Sequence, residues 1–247
     1  MARHSDITSL LAVVLLTISA DCGREGQLLT APTAERVGVS ALDRASVQAE
    51  GLGRFYPLNI GNRWRYAGFT HSKHGDVEKG GRWTRETTLA RLEERSGRTY
   101  VREEITRNDD QQEVHFVRWL RQDRSGLFEG GVPPPRAPQH YETMLLAYPL
   151  HRGATWTVDE FRGVTATAEG TEVLDTPAGR FPSWRVRLRY EGGFPSEVFV
   201  WYGRAGYLGM KRHDEYERLG SDGNPIKVTV DEAEWLEWIS LSLPASR

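Results

Sequence analysis

The chain has 247 residues, of which 38% are hydrophobic, enough for one large domain or two small domains with an ordinary core. Its formal net charge of -2 provides no long-range field that would recruit nucleic acid, so we expect no nucleic-acid partner. Cys22 is the single cysteine, which excludes an internal disulfide and any metal site built on several thiolates.

Residues 1–22 have the layout of a secretory signal peptide. A basic start precedes an apolar run over residues 7–18, and the small residues Ser19 and Ala20 stand shortly before Cys22. The run is too short to cross a membrane as a helix. Two processing routes remain open: lipidation of Cys22, whose position resembles the lipidation site of bacterial lipoproteins, or cleavage after Ala20. In both cases we expect an exported protein.

The rest of the chain divides by composition into a tether and a folded part. Residues 23–53 contain few large apolar side chains and are predicted to form a flexible tether. We expect a single β-domain over residues 54–243. It consists of two similar halves, residues 54–129 and 147–243, joined by a proline-rich connection over residues 130–146.

A repeated motif opens each half. The pattern Tyr-Pro-Leu-x-x-Gly-x-x-Trp occurs at residues 56–64 and again at residues 148–156. Five identities at the same spacing indicate a duplicated unit. Proline presets φ and glycine permits a φ above zero, so each copy predicts a turn that leads into a strand. The aromatic residues of the motif suit both a packed core and a ligand pocket.

Alternating runs rich in Trp, Tyr and Thr predict strands rather than helices. The predicted strands of the first half are residues 62–70, 83–93, 99–107 and 113–122. Those of the second half are residues 155–159, 165–176, 183–190, 197–202 and 207–218, with one or two closing strands within 226–243. A meander of about ten strands is too wide to stay flat. The predicted fold is therefore all-β, a curved antiparallel sheet or an open half-barrel.

Three segments carry a resemblance to a known group of proteins. Residues 55–66 read Phe-Tyr-Pro-Leu-x-x-Gly-Asn-x-Trp-x-Tyr, residues 176–181 read Thr-x-Ala-Gly-x-Phe, and Trp201-Tyr202 leads to a glycine turn and Lys-Arg within 206–212. This pattern resembles that of uncharacterised bacterial envelope proteins and lipoproteins, which are similar to half-barrel lipoprotein-sorting proteins. The resemblance implies an open, half-barrel-like β-fold and no catalytic residues.

The candidate ligand-binding residues are aromatic. They are Trp64, Trp156, Trp184 and Trp201. Because tryptophan also fills protein cores, a filled interior would favour a structural role for these residues, and a groove lined by them would favour binding.

Other polar clusters favour ordinary surface roles. His71 and His74 lack a third ligand at a recognisable spacing, so a solvated hairpin loop is favoured, and we expect no metal or cofactor. Arg185, Arg187 and Arg189 alternate along one strand. A solvent face paired with acids such as Glu172 is favoured, and an anionic site is the alternative.

The sequence contains none of the common hydrolase or nucleotide-binding signatures. The leading hypothesis is a non-enzymatic cell-envelope protein that binds an apolar or amphipathic ligand such as a lipid, or an envelope protein, on its curved sheet. One alternative is a structural or assembly lipoprotein, attached to the membrane through lipidated Cys22. A second alternative is a hydrolase whose triad is assembled from residues distant in sequence.

Overall fold

The structure is a computed structural model that describes residues 55–131, 141–191, 196–219 and 223–242. Within these ranges the regular elements are twelve β-strands. They are β1 (Arg63–His74), β2 (Val77–Arg95), β3 (Arg98–Asp109), β4 (Glu113–Gln122), β5 (Gly126–Gly130), β6 (Glu142–Ala147), β7 (Thr155–Asp159), β8 (Val164–Thr176), β9 (Gly179–Tyr190), β10 (Ser196–Gly203), β11 (Gly206–Leu219) and β12 (Pro225–Ser240). The predicted signal peptide, the predicted tether and Cys22 lie outside the described residues.

All twelve strands belong to one antiparallel sheet that is nearly closed and barrel-like. Its order is β6-β5-β4-β3-β2-β1-β12-β11-β10-β9-β8-β7, so β1 pairs with β12, and β6 and β7 form the two edges. The edges approach each other, because the Trp156 indole on β7 donates a hydrogen bond of 3.0 Å to the Met144 carbonyl on β6. The predicted all-β, curved antiparallel fold is confirmed.

The strand count exceeds the expected number. The short strand β6 lies almost entirely inside residues 130–146, which the sequence assigned to a proline-rich connection. The short strand β5 ends at Gly130 and was not predicted, because glycine at both of its ends hides its strand character. In contrast, β12 is one continuous strand where one or two were expected. It pairs with β1 along most of its length and with β11 over residues 225–235, and its pairing with β1 has one register shift, at Arg65 and Tyr66.

The inner face of the barrel is filled by aromatic and charged side chains. Trp64 and Tyr66 are each 1% exposed. Arg85 donates two hydrogen bonds, of 3.0 and 2.9 Å, to the Glu234 carboxylate, and its guanidinium lies 4.1 Å from the centre of the Tyr66 ring. Tyr56 donates a hydrogen bond of 2.7 Å to Glu103. Such paired and bonded charges are the form in which proteins tolerate buried ions.

The two repeated motifs share the geometry of their glycine turns, but the Tyr148–Pro149 peptide bond is cis and the Tyr56–Pro57 bond is not. Gly61 and Gly153 have φ angles of 91° and 83°, as the motif predicts. The Gly61 N–H donates a hydrogen bond of 2.8 Å to the Leu89 carbonyl on β2, and the Gly153 N–H donates one of 2.8 Å to the Ala168 carbonyl on β8. In both cases the accepting residue stands at a register shift of that strand. The common origin of the two halves stays a prediction.

Candidate functional site

The outer face of four adjacent strands carries three rows of side chains. The pairing register of β10, β11, β12 and β1 places residues side by side in the order of these strands. The middle row is Phe199, Lys211, Ala233 and Phe69. One flanking row is Trp201, Gly209, Trp235 and Ala67, and the other is Glu197, His213, Asp231 and His71. Four aromatic rings therefore share this face with three small residues.

We name this surface the aromatic groove and define it by Phe69, Phe199, Trp201 and Trp235. Phe69 is 45% exposed, Phe199 and Trp235 are half-buried, and Trp201 is buried. The Trp201 ring centre lies 5.3 Å from that of Trp235 and 6.3 Å from that of Phe199. A groove of about 540 Å³ lies over Phe69, Phe199 and the neighbouring charged row.

The contact between Trp201 and Trp235 depends on Gly209, which has no side chain. It lies between Trp201 and Trp235 in the register, and its φ of 152° belongs to a region that favours glycine. A Cβ atom at this position would lie 2.5 Å from the Trp235 ring and 2.4 Å from the Glu234 carbonyl oxygen. The absence of a side chain therefore lets the Trp235 ring lie across β11.

Lys211 is the basic side chain in the centre of the middle row. Its ammonium group lies 5.7 Å from the centre of the Trp235 ring. Among the described residues, no carboxylate oxygen lies within 4.0 Å of this ammonium. Arg185, at the border of the groove, is 5.7 Å from the Phe199 ring centre but is ion-paired with Glu169 at 2.8 Å. Lys211 thus places a positive charge over an aromatic floor.

The charged row contains a hydrogen-bonded pair. His213 Nδ1 lies 2.7 Å from the Asp231 carboxylate, and this hydrogen bond raises the pKa of His213 above its ordinary value. A His–Asp pair is two thirds of a hydrolase triad. However, no serine or threonine of the described residues is hydrogen-bonded to His213. The neighbouring Asp214 faces the interior, where it is 4% exposed and accepts a hydrogen bond from Ser196.

The four tryptophans that the sequence marked as candidate ligand-binding residues do not lie together in one site. Trp64 and Trp156 lie inside the barrel, where the Trp64 indole donates a 2.7 Å hydrogen bond to the Ala205 carbonyl. Trp184 lines a separate groove of about 350 Å³ with Arg152, Glu169 and Glu172. Trp201 belongs to the aromatic groove, and its indole donates a hydrogen bond to Glu172. Ligand binding by any of the four stays a prediction.

Sequence reasoning missed Phe69, Phe199, Lys211 and Trp235. Each of these residues lies on a strand whose inner face is also rich in large or apolar side chains, so alternation alone does not mark the outer face as special. The available signal was Phe199 two residues before Trp201, which places two rings on one face of a strand. Their meeting with Phe69 and Trp235 depends on the β1–β12 pairing.

The remaining polar clusters follow or correct the expectations. Arg185 lies 3.6 Å from Glu172, the expected acid, and Arg187 lies 3.1 Å from Glu169. The expected hairpin loop at His71 and His74 is wrong, because both residues lie in β1. No group of three metal-ligating side chains occurs among the described residues. In the same part of the chain, no helix has the length and hydropathy needed to cross a membrane.

No family model and no curated protein matches the sequence. Among solved structures, the chain is similar to a presumed exported protein with a YmcC-like fold from Bacteroides fragilis, with 11% identity and a TM-score of 0.43 over 77% of this chain and 100% of that chain. It is similar to a presumed lipoprotein from Parabacteroides distasonis, with 11% identity and a TM-score of 0.41 over 77% of this chain and 100% of that chain.

A DUF1329 family protein from Desulfovibrio piger has 8% identity and a TM-score of 0.25, over 76% of this chain and 89% of that chain. The identities and TM-scores of all three structures are too low for any property of those proteins to be carried over to this chain.

Proposed function

We propose that the chain is a non-enzymatic binding protein of the bacterial cell envelope that holds the apolar part of an amphipathic ligand in the aromatic groove. The observation that carries this proposal is the pair of outward-facing rings of Phe69 and Phe199 that line a groove of about 540 Å³, with the half-buried Trp235 ring in the adjacent row. Ligand sites in proteins are concave and mostly apolar, with a few polar groups that fix orientation. The charged row supplies such groups at one side of the groove.

The composition of the groove favours an amphipathic ligand over a purely polar one. Phe69 is 45% exposed on the outer face and Phe199 is half-buried, and apolar burial contributes about 25 cal/mol per Å². An alkyl chain or ring laid against Phe69 and Phe199 removes this surface from water. The pair of His213 and Asp231 lacks a hydroxyl partner among the described residues, which favours binding over hydrolysis.

The proposal is tested with Nile red, a neutral apolar dye, in fluorescence titrations. We expect the double variant Phe69→Ser with Phe199→Ser to bind the dye at least about tenfold more weakly, because roughly 1.4 kcal/mol of lost apolar contact has this effect. The matched control is Val173→Ser with Leu219→Ser. It removes two exposed apolar side chains outside the groove, 54% and 75% exposed. Equal affinities of the two double variants would exclude the groove as the binding site.

The envelope location is a separate part of the proposal and rests on the predicted signal peptide and Cys22. If Cys22 is lipidated, Cys22→Ser will move the protein from the membrane fraction to the soluble fraction, since each buried methylene of a lipid anchor contributes about 0.8 kcal/mol. Metabolic labelling of the wild-type protein with a fatty-acid analogue detects the modification directly. An unlabelled, soluble wild-type protein would instead indicate cleavage after Ala20.

A further inference from the structure

The middle row of the groove continues on both sides into basic residues. Arg187 on β9 is the register partner of Phe199, and Arg82 on β2 is the register partner of Phe69. With Lys211 in the centre, the six-strand row contains three basic side chains and no acidic one. The charge that faces the apolar floor is therefore positive.

The acidic side chains of the groove lie in a different row. Asp231 is hydrogen-bonded to His213, so part of its charge is already matched. The lining contains two further carboxylates, Glu197 and Glu232. Glu197 stands one row away from the phenylalanine floor, and Glu232 is 3% exposed and lies 3.9 Å from Arg107. Arg187 is engaged by Glu169 at 3.1 Å. Lys211, which has no such carboxylate among the described residues, is the cation best placed to meet a ligand.

Lys211 also has the right position to orient an amphiphile. Its aliphatic stem extends along the apolar floor between Phe199 and Ala233, and its ammonium reaches toward the Trp235 ring. An anionic group bound there would leave the attached chain free to lie against Phe69 or Phe199.

We infer that the groove selects single-chain amphiphiles with an anionic head, a carboxylate or a phosphate, and that Lys211 binds that head. This inference rests on the proposed function, because it names the class of ligand for the same site. An anionic head would be attracted to the basic side chains of the row, whereas a cationic head would be repelled by Lys211.

The test compares dodecyl chains that differ only in their heads, all below their critical micelle concentrations. Dodecyl phosphate and dodecanoate carry anionic heads, dodecyl maltoside a neutral head and dodecyltrimethylammonium a cationic head. We expect the anionic amphiphiles to bind at least about tenfold more tightly than the maltoside, and the cationic one most weakly. In Lys211→Gln the preference for the anionic heads over the maltoside should disappear.

Lys227→Gln is the matched control, since Lys227 is an exposed lysine on β12 paired with Glu215 at 2.8 Å. It should keep the anion preference. If no dodecyl amphiphile binds, the proposed function itself fails. If all heads bind equally, or if Lys211→Gln keeps the preference, the function stands and the inference about the head is wrong. The ratio of dodecanoate to dodecyl phosphate affinity distinguishes carboxylate from phosphate ligands.

Discussion

Each half of the barrel carries an aromatic cluster on its outer face. The two clusters share a pattern of strand pairing and differ in how closely cations lie to their rings. In each half a tryptophan stands opposite an arginine, and its indole donates a hydrogen bond to a glutamate on the strand beyond. These residues are Trp119, Arg102 and Glu93 in the first half, and Trp201, Arg185 and Glu172 in the second. In both halves the glutamate follows a register shift of its strand.

The difference lies in the cations above the rings. In the first half the Arg95 guanidinium lies 3.5 Å from the Trp119 ring centre, and the Arg121 guanidinium lies 4.3 Å from that of Phe128. In the second half the corresponding cation–ring distance is 5.7 Å, for Lys211 over Trp235. Close stacking covers aromatic surface, and a more distant ammonium leaves it accessible. One scaffold therefore supports a covered cluster and an open groove.

The largest expected effect tests whether the halves are one folding unit. Trp64→Ala and Trp156→Ala should each destabilise the protein by about 3 to 5 kcal/mol, because each removes a large buried side chain. Trp64, at 1% exposure and bonded across the barrel to Ala205, should cost more than Trp156, which is 8% exposed at the edge of the sheet. Calorimetry should show a single transition in both variants. Two separable transitions, each shifted by one substitution, would mean independent halves.

The next effect compares the glycines that face the two outer tryptophans. Gly209 faces Trp201, and Gly130 faces Trp119. A Cβ atom at Gly209 meets backbone at 2.4 Å, whereas at Gly130 it meets the Tyr100 ring edge at 2.8 Å, which can shift. We expect Gly209→Ala to cost about 3 kcal/mol and Gly130→Ala about 1 kcal/mol in chemical denaturation. Equal costs would show that the contact across β11 is not rigid.

The next prediction concerns the pH dependence of stability, which two carboxyl groups, one behind each aromatic cluster, are expected to produce. Burial raises the pKa of Glu232 to about 8, although Arg107 opposes the shift, and raises the pKa of Glu129 to about 7. The folded protein then binds these protons more tightly than the unfolded chain. The resulting stabilisation is complete below about pH 4.5 and is lost as the pH rises through about 7 for Glu129 and about 8 for Glu232.

Glu232→Gln should therefore reduce the loss of stability that occurs as the pH rises. Between pH 5 and pH 8.5, we expect its free energy of unfolding to fall by about 1 to 3 kcal/mol less than that of the wild-type protein. Glu217→Gln, on the exposed side of β11, is the control and should follow the wild-type curve. Urea denaturation across the pH range measures both. A variant curve parallel to the wild type would place the titration elsewhere.

The smallest expected effect comes from removing the cation that covers the Trp119 ring in the first half. Arg95→Ala should cost only about 0.5 to 1 kcal/mol, the usual contribution of a cation–π contact near the surface. It should also make Trp119 more accessible, seen as stronger quenching of tryptophan fluorescence by acrylamide. Arg180→Ala removes an exposed arginine paired with Asp175 and serves as the control. If quenching does not change, the guanidinium is not what covers Trp119.

Much of the fold was readable from local patterns, and most of the site was not. Gly61 and Gly153 marked their turns because a positive φ is a local requirement. The alternating strand around Trp184 was equally clear. The aromatic groove instead depends on register between β1 and β12, and no local pattern specifies which distant residues become neighbours. Buried Asp214 and Glu232 look like surface charges in sequence, since only the closed interior makes them unusual.

The pairing of β1 with β12 also sets when the aromatic groove forms. Trp64, near the start of the described chain, is the register partner of Ile239 near its far end. Contacts between such distant segments form late, because a long loop must be closed before they contribute. The aromatic groove uses Phe69 from β1 and Trp235 from β12. A chain that emerges from the N-terminus onward would therefore form the aromatic groove only when β12 pairs with β1, and the proposed ligand could bind only after that step.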